Sequence, residues 1–237
     1  MQGPLSSSSW RDEMNEAGYA VFDAIFTDQD MDALDDALAA FARREGKDLE
    51  RTVAFLQKIA ERDEFVRDFA RRPELVEIAT GLLGPDVDLY FNQHVRKNPG
   101  PQEAFSWHQD DAYGLVDPSP YLTVWIAMTD STLENGCVWA LPGSWKQGLW
   151  PHQESSFGLS CHPLDHPDQG RPVEVSRGGV AIFWSLTVHK SGPNRTDLPR
   201  KAMIFQYVRP GLRHKVSGMS IRSRLPIARA GLPVSAS

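Results

Sequence analysis

The stretch Leu89-Tyr90-Phe91-Asn92-Gln93-His94-Val95-Arg96 changes the rhythm of the chain. Leu89, Phe91, Gln93 and Val95 alternate with Tyr90, Asn92, His94 and Arg96, which is the period of a β-strand. Before Pro85 the rhythm is helical. Thr27-Asp28-Gln29-Asp30 has the form of a capping box, and Phe26 and Met31 are placed for a hydrophobic staple. Met31, Leu34, Leu38 and Phe41 then recur along one helix face, and Arg43 and Arg44 sit where the dipole favours positive charge. A second helical region is expected over roughly 50–71, with Phe55, Leu56, Ile59, Phe65, Val66 and Phe69 inward and the charges from Arg62 to Asp68 on the solvent face. Pro73 is placed to open a third helix through Thr80, which Gly81 and Gly84-Pro85 stop.

After Pro85 the strands continue. They are expected at 122–128, 179–184 and 201–207, with shorter ones at 137–141, 173–175 and 216–222. The segments 97–103, 114–120, 142–170 and 191–199 are rich in Gly, Pro, Asn, Asp and Ser. No βαβ rhythm and no internal repeat is present. The expectation is a mainly β fold with flanking helices, an antiparallel sandwich or barrel. One domain spans 1–237, with 10–84 a helical support and 85–222 the β core. A loop as long as 142–170 covers a site or packs along an edge; Trp145, Trp150, His152 and Phe157 make a lid the sharper reading.

Composition narrows the function classes. The chain has 237 residues, 41% of them apolar, and a formal charge of −6. That suits a globular protein and argues against nucleic acid as a default partner. No apolar run reaches membrane-spanning length, and no secretory leader precedes Trp10. The two cysteines, Cys137 and Cys161, form no disulfide framework. A cytoplasmic location and a small-molecule substrate are expected; monomer or homo-oligomer is left open.

Phe105-Ser106-Trp107-His108-Gln109-Asp110-Asp111 carries the chemistry. In an extended segment His108 and Asp110 project to one side. Imidazole and carboxylate together suit a divalent first-row metal, although an H-x-D pair alone is common by chance. Of the seven histidines, His189 is the best distant partner, because it follows the apolar strand ending at Trp184. Two histidines and one carboxylate on one face leave positions open, as in non-haem iron oxygenases. Arg200, eleven residues on, heads a strand where a guanidinium can hold a carboxylate bidentately. Its bland reading is a surface charge. Asp111 should point away as a loop anchor. His94 and Arg96 lie on the opposite parity from Gln93. Cys161, His162 and His166 make only a crude zinc cluster, broken by prolines and lacking a second ligand pair.

His108-Gln109-Asp110, His189 about 80 residues later, and Arg200 resemble the phytanoyl-CoA dioxygenase family. Glu134-Asn135-Gly136, followed by Pro142-Gly143-Ser144-Trp145, is similar to the family's E-N-G…P-G-S-H stretch, with Trp145 where His is common. His189-Lys190-Ser191-Gly192-Pro193-Asn194…Arg200 resembles its H-x-S-x-x-N…R run. The resemblance spans about 15 to 210. It implies a double-stranded β-helix (a jelly-roll, cupin-like core), Fe(II), 2-oxoglutarate and O2 as cosubstrate. It implies that His108, Asp110 and His189 are the iron ligands and that Arg200 holds the far carboxylate of 2-oxoglutarate, with Ser191 as hydroxyl partner. Gln93 is a candidate donor to the cosubstrate, and Thr123 or Thr129 could contribute. Retention of Asp110 implies hydroxylation or another oxidation rather than halogenation. Asn135 and Gly136 are turn residues on this reading.

The leading expectation is hydroxylation of an unactivated C–H, with release of succinate and CO2. Desaturation, epoxidation and cyclisation are alternatives with the same cofactors. Tyr113, Trp184, Trp107, Phe105 and Trp139 are candidates for an aromatic pocket. Arg96, Lys97 and Arg209 weakly favour a small acid or polar natural product, and no adenine-nucleotide groove is evident. Two other classes compete: a cupin-like hydrolase or isomerase holding zinc or manganese, which would not consume 2-oxoglutarate, and a binding protein with a vestigial site, which intact His108, Asp110, His189 and Arg200 argue against.

Overall fold

The computed structural model describes residues 9–101, 104–156, 158–161, 170–221 and 225–234. The first part carries α1 (Ser9–Glu16), β1 (Tyr19–Phe22), α2 (Asp28–Arg44), β2 (Val53–Gln57), α3 (Glu64–Phe69) and α4 (Pro73–Leu83). Then come β3 (Val87–Lys97), β4 (Phe105–His108), α5 (Asp111–Gly114), β5 (Val116–Asp117), β6 (Leu122–Ala127) and β7 (Val138–Ala140). A 3-10 turn (Ser144–Gln147) leads to β8 (Gln153–Ser155), β9 (Gly158–Ser160), β10 (Arg171–Val173), β11 (Val180–Trp184) and β12 (His189–Ser191). The last strands are β13 (Arg200–Val208), β14 (Arg213–His214), β15 (Leu225–Arg229) and β16 (Leu232–Pro233).

Two antiparallel sheets face each other. The larger runs β1-β11-β6-β13-β3-β15-β16, and β2 shares with β15 the outer edge of β3. The smaller runs β10-β7-β12-β4. This is the mainly β, jelly-roll arrangement with flanking helices. Strand β6 shows why its sequence is continuously apolar: every residue is buried. Leu122, Val124 and Ile126 pack with Leu34 and Leu38 of α2 and with Met203 and Phe205. Trp125 and Ala127 turn the other way, to Val138, Ala140 and Phe183 between the sheets. One face of the main sheet thus holds the helices and the other builds the site.

The start of α2 forms as its residues predict. Asp30 N–H donates to Thr27 Oγ1 at 3.2 Å and Thr27 N–H donates to Asp30 Oδ2 at 2.9 Å. Elsewhere the helical reading of the first third needs correction. Residues 53–57 are a strand, paired Val53↔Lys97 through Gln57↔Gln93. Only 64–69 of the expected 50–71 is helix. Phe55 and Phe65, expected inward, are 39% and 43% exposed. The VAFLQ segment alternates buried and exposed, a period-2 pattern hidden by its neighbours' helical spacing, and the free edge of β3 supplies its hydrogen bonds. β1 likewise joins the main sheet from within the supposed helical support. Gly81 does not end α4, which continues to Leu83. It permits close approach of α1, since a Cβ there would lie 2.8 Å from Arg11 Nη2. At the other end, 216–221 is turn and irregular chain with one bridge, Arg213↔Ser220, instead of a strand. The sheet resumes at β15, beyond the expected limit at 222. The expected 173–175 strand is instead 171–173, with Val175 in a separate bridge to Ser131. The 142–170 segment holds the 3-10 turn and the β8–β9 hairpin; Phe157, His162 and His166 lie outside the described residues.

Candidate metal centre

His108 ends β4 and His189 begins β12, and the two are direct cross-strand partners. Their ring centroids lie 4.2 Å apart. Asp110 joins them by a route that strand parity does not describe. The strand stops at His108, and Asp110 has helical backbone angles (φ −58, ψ −33) ahead of the one-turn α5. The chain therefore bends back and brings the carboxylate beside both rings. Asp110 Oδ1 is 3.9 Å from His108 Nε2 and 3.7 Å from His189 Nε2. One ligand atom from each of the three residues falls within a 4.8 Å cluster.

The protonation pattern follows from the partners. His108 Nδ1 lies 2.8 Å from Ser106 O, and His189 Nδ1 lies 2.9 Å from Thr187 O. A carbonyl only accepts, so each Nδ1 carries the hydrogen and each Nε2 presents a lone pair. Asp110 Oδ2 accepts from Thr123 Oγ1 at 2.7 Å and from Gln206 Nε2 at 3.0 Å. Oδ1 is left to face the imidazoles. Three acceptors thus converge with no proton between them, an arrangement that repels unless a cation sits at its focus. Burial, and then the His189 ring, pull the His108 pKa down to about 4, so His108 offers a neutral ligand at neutral pH. Two imidazole nitrogens and one carboxylate oxygen suit Fe(II), with open positions opposite.

The surroundings hold this geometry. Gln109, between the two ligands, is fully buried. Its Nε2 donates to Gly148 O at 2.8 Å and Leu186 O at 2.6 Å, while Oε1 accepts from Trp150 N–H at 2.7 Å. His152 Nε2 accepts the Gln109 backbone N–H at 3.1 Å. Ser144 of the P-G-S stretch accepts the Val188 N–H at 2.9 Å, one residue before His189. Neither Gln109 nor Ser144 drew attention as a positioning residue; a buried glutamine between two ligands was the available signal. Asp111 is fully buried and pairs with Lys215 at 2.8 Å, consistent with an anchor.

The triad opens on a cavity of about 590 Å³ between the sheets, within the range of small-molecule sites. Arg200 lines it, although only 2% exposed. Its Nη2 donates to Gly136 O at 3.0 Å, its guanidinium lies 5.5 Å from the Trp125 ring centre, and its Nε is buried without a partner. No carboxylate among the described residues pairs with it. Gly136 must be glycine: its φ is +82° and a Cβ would meet Gly192 O at 2.3 Å. Ser191 also lines the cavity, and its Oγ accepts from Lys97 Nζ at 2.8 Å. Lys97, which sequence reasoning treated only as general positive charge, also donates to Gly192 O and is fully buried. Burial and then Arg200 pull its pKa down to about 6.

Gln93, Thr123, Tyr113 and Phe105 line the cavity. Four pocket candidates do not, Trp107 among them: it packs against Leu141, Cys161 and Val188. Trp184 packs in the helix-side core beside Trp145. Trp139 is on the outer face of the small sheet, where Lys190 Nζ sits 5.3 Å from its ring centre. Arg96 is on the opposite parity and bonds Asn98 Oδ1 and Glu50. Arg209 donates to Leu83 O. The positive charge taken to favour an acidic substrate therefore lies outside the cavity, or, for Lys97, is engaged by β12. Sequence reasoning also missed Tyr90, which lines the cavity from the wrong parity. The register of β3 on β13 skips it, pairing Phe91 with Gln206 and Leu89 with Tyr207, and such a bulge re-aims a side chain.

Among relatives, a probable phytanoyl-CoA dioxygenase of Caenorhabditis elegans is 28% identical over 187 residues, 73% of this chain and 60% of that protein. A phytanoyl-CoA dioxygenase of Arabidopsis thaliana is 36% identical over 148 residues, 60% of this chain and 52% of that protein. The chain spans about half the length of the curated relatives it matches. The structure of the carbocyclase SnoK from nogalamycin biosynthesis matches with a TM-score of 0.79 at 22% identity, covering 92% of this chain and 94% of that one. The non-heme monooxygenase ThoJ matches at 0.77 and 23%, covering 94% and 86%. The epimerase SnoN matches at 0.74 and 18%, covering 96% and 94%. These likenesses are to the fold, and the activities of those proteins do not single out hydroxylation. The cytoplasmic expectation is corrected: matched relatives of Rattus norvegicus and Mus musculus, both 28% identical, are peroxisomal phytanoyl-CoA dioxygenases. Cysteine usage does not separate two reducing compartments. No described helix is long and apolar enough to cross a membrane. The family model for phytanoyl-CoA dioxygenase (PhyH) matches residues 14–202, a range that contains His108, Asp110, His189 and Arg200, and the chain therefore belongs to that family.

Proposed function

We propose that the protein is an Fe(II)- and 2-oxoglutarate-dependent oxygenase of a small molecule. The observation that carries this is one cavity holding three converging lone-pair donors and, deeper in, a buried arginine without an anionic partner. An unpaired buried cation is costly, and an incoming carboxylate relieves it. Bound iron, 2-oxoglutarate and O2 supply the oxidising power for attack on an unactivated C–H, with succinate and CO2 as coproducts.

The protein's residues supply geometry. His108, Asp110 and His189 hold the metal on one side and leave the cavity side open. Thr123 and Gln206 fix which Asp110 oxygen faces it. Arg200 pairs with the far carboxylate, and Ser191 serves as a second contact. Because Lys97 donates to Ser191 Oγ, the Ser191 hydroxyl hydrogen is free to point into the cavity. Gln93 is placed as an amide contact to cosubstrate or substrate. Ser156 and Gly158 of the β8–β9 hairpin line the cavity mouth, and Tyr113 Oη accepts the Leu159 N–H at 2.9 Å; this hairpin limits water access.

We do not restrict the outcome to hydroxylation. The matched solved structures include a carbocyclase and an epimerase beside a monooxygenase, which favours a wider reading of oxidation, including ring formation and desaturation. An anaerobic optical titration tests the proposal. Addition of Fe(II) and then 2-oxoglutarate should produce an iron-to-ketoacid charge-transfer band that His189→Ala abolishes. Folded, iron-loaded protein that gives no band would refute it and direct attention to zinc or manganese chemistry.

A further inference from the structure

The cavity has two unlike halves. Arg200 and Lys97 are register partners at one end of β13 and β3, and Gln206 and Phe91 are partners at the other. Six strand steps separate them, roughly 20 Å along the backbone. At the Gln206 end the walls carry Tyr90, Phe91, Tyr113 and Tyr121. Tyr90 and Tyr121 stack edge to face with centroids 5.6 Å apart. Among the described residues neither hydroxyl makes a protein hydrogen bond, although Tyr121 is only 2% exposed. Both residues line the cavity, and their phenol groups have unused donor capacity.

The charge at this end is one-sided. Asp110 is close, and Asp111 lies behind, held by Lys215. Burial, with Asp110, Tyr90 and Asp111 adding, holds Tyr121 well above the ordinary phenol range; burial and Asp111 raise Tyr90. Both stay protonated donors at neutral pH. The acidic, lysine and arginine residues along the cavity are Asp110, Arg200 and Lys190, and Lys190 turns its ammonium to the outer face. Lys190 holds its ammonium 4.5 Å from the Trp107 ring centre, and Arg200 is at the far end. Iron(II), Asp110, a 2-oxoglutarate dianion and Arg200 cancel formally. An anionic substrate would lose its hydration and find no cation.

We propose that the Tyr90–Tyr121 end takes an uncharged, ring-containing small molecule whose oxygen acceptors are bound by the two tyrosine hydroxyls, and that it discriminates against carboxylates. Ring faces there pack flat hydrocarbon, and the phenols add direction. This rests on the oxygenase reading, which places 2-oxoglutarate at Arg200.

Equilibrium dialysis on the full chain, loaded anaerobically with Fe(II) and 2-oxoglutarate, tests it without turnover. The compounds are 5-hydroxy-1-tetralone and the tetralone carboxylate of the same ring skeleton. The neutral compound should bind about tenfold or more tighter than the carboxylate. Tyr90→Phe and Tyr121→Phe should each weaken the neutral compound about fivefold and leave the 2-oxoglutarate dissociation constant, read from the optical band, unchanged. Thermal melts check that both variants are folded. Equal or tighter binding of the carboxylate, wild-type binding by both variants, or no binding of either compound at millimolar concentration overturns the proposal. If the band never forms, the oxygenase reading fails, and dialysis on the protein as purified still decides the preference.

Discussion

The Arg200 end of the cavity and the Tyr90 end are built from the same two strands by different physics. At the Arg200 end, two buried basic side chains are aimed by specific acceptors, Gly136 O for Arg200 and Ser191 Oγ and Gly192 O for Lys97, and Arg200 Nε is left without one. At the Tyr90 end, rings supply the walls and no side-chain cation enters. A bidentate cation selects a carboxylate of fixed geometry, which suits a cosubstrate common to many enzymes. Aromatic walls select by shape and polarity, which suits a substrate particular to one. The triad lies between, its carboxylate braced from the main sheet.

The largest test of that division is the triad itself. Asp110→Ala removes the anionic ligand, and we expect turnover of 2-oxoglutarate to vanish and metal affinity to fall. Wild-type turnover by that variant would remove the metal from the boundary between the halves. Next comes Arg200→Ala, expected to raise the 2-oxoglutarate dissociation constant roughly a hundredfold, since a buried charge partner is worth a few kcal/mol, with iron binding retained. An unchanged cosubstrate constant would break the assignment of the charged end.

Acid should act on both sides of the main sheet. His94, buried on the face away from the cavity, has a pKa lowered to about 4 by burial, as does His108 within it. The folded protein keeps both rings neutral down to that pH, while the unfolded chain takes up protons near 6.5. The unfolded state thus binds more protons between 6.5 and 4, and stability falls as pH falls through that window. The share from His94 alone is on the order of 3 kcal/mol. Urea denaturation of metal-free protein at several pH values measures this, and a flat profile contradicts it. Lys97→Met is expected to weaken 2-oxoglutarate about tenfold, by freeing Ser191, and to leave neutral-compound binding at the Tyr90 end intact. Equal losses at both ends would mean that Lys97 only supports the fold. The smallest effect concerns Phe55. As an inward helix residue its truncation would cost about 3–5 kcal/mol; as a 39% exposed strand residue, Phe55→Ala should shift stability by under about 1 kcal/mol.

The two ends also differ in how far they could be read from the chain. The charged end lies in local runs: H-x-D, E-N-G and H-x-S-x-x-N…R are short, and their residue types have few bland explanations in combination. Lys97 escaped notice because its partners lie more than ninety residues away. Tyr90 escaped because a bulge is set by the pairing of two strands, and alternation within one strand cannot reveal it. The convergence of His108 and Asp110 was anticipated from extended geometry and is reached through a turn, with Gln109 tied to the 148–152 segment and to Leu186. Phe55 and its neighbours were read as helix because apolar spacing in a short window fits both periods; an unpaired edge of β3 decided for strand.

By itself the sequence determined the capped helix α2, the strand period after Pro85, the apolar runs that become the sheet centre, and the residue types that can hold a metal and an acid. These are properties of periodicity and side-chain chemistry, and they are local. Tertiary structure alone decided which strands share an edge, which side of each faces the cavity, which donors remain unsatisfied within it, and that Arg96 and Arg209 stay outside it. Those depend on long-range pairing, where one skipped residue or one free strand edge redirects a side chain by the full thickness of the sheet.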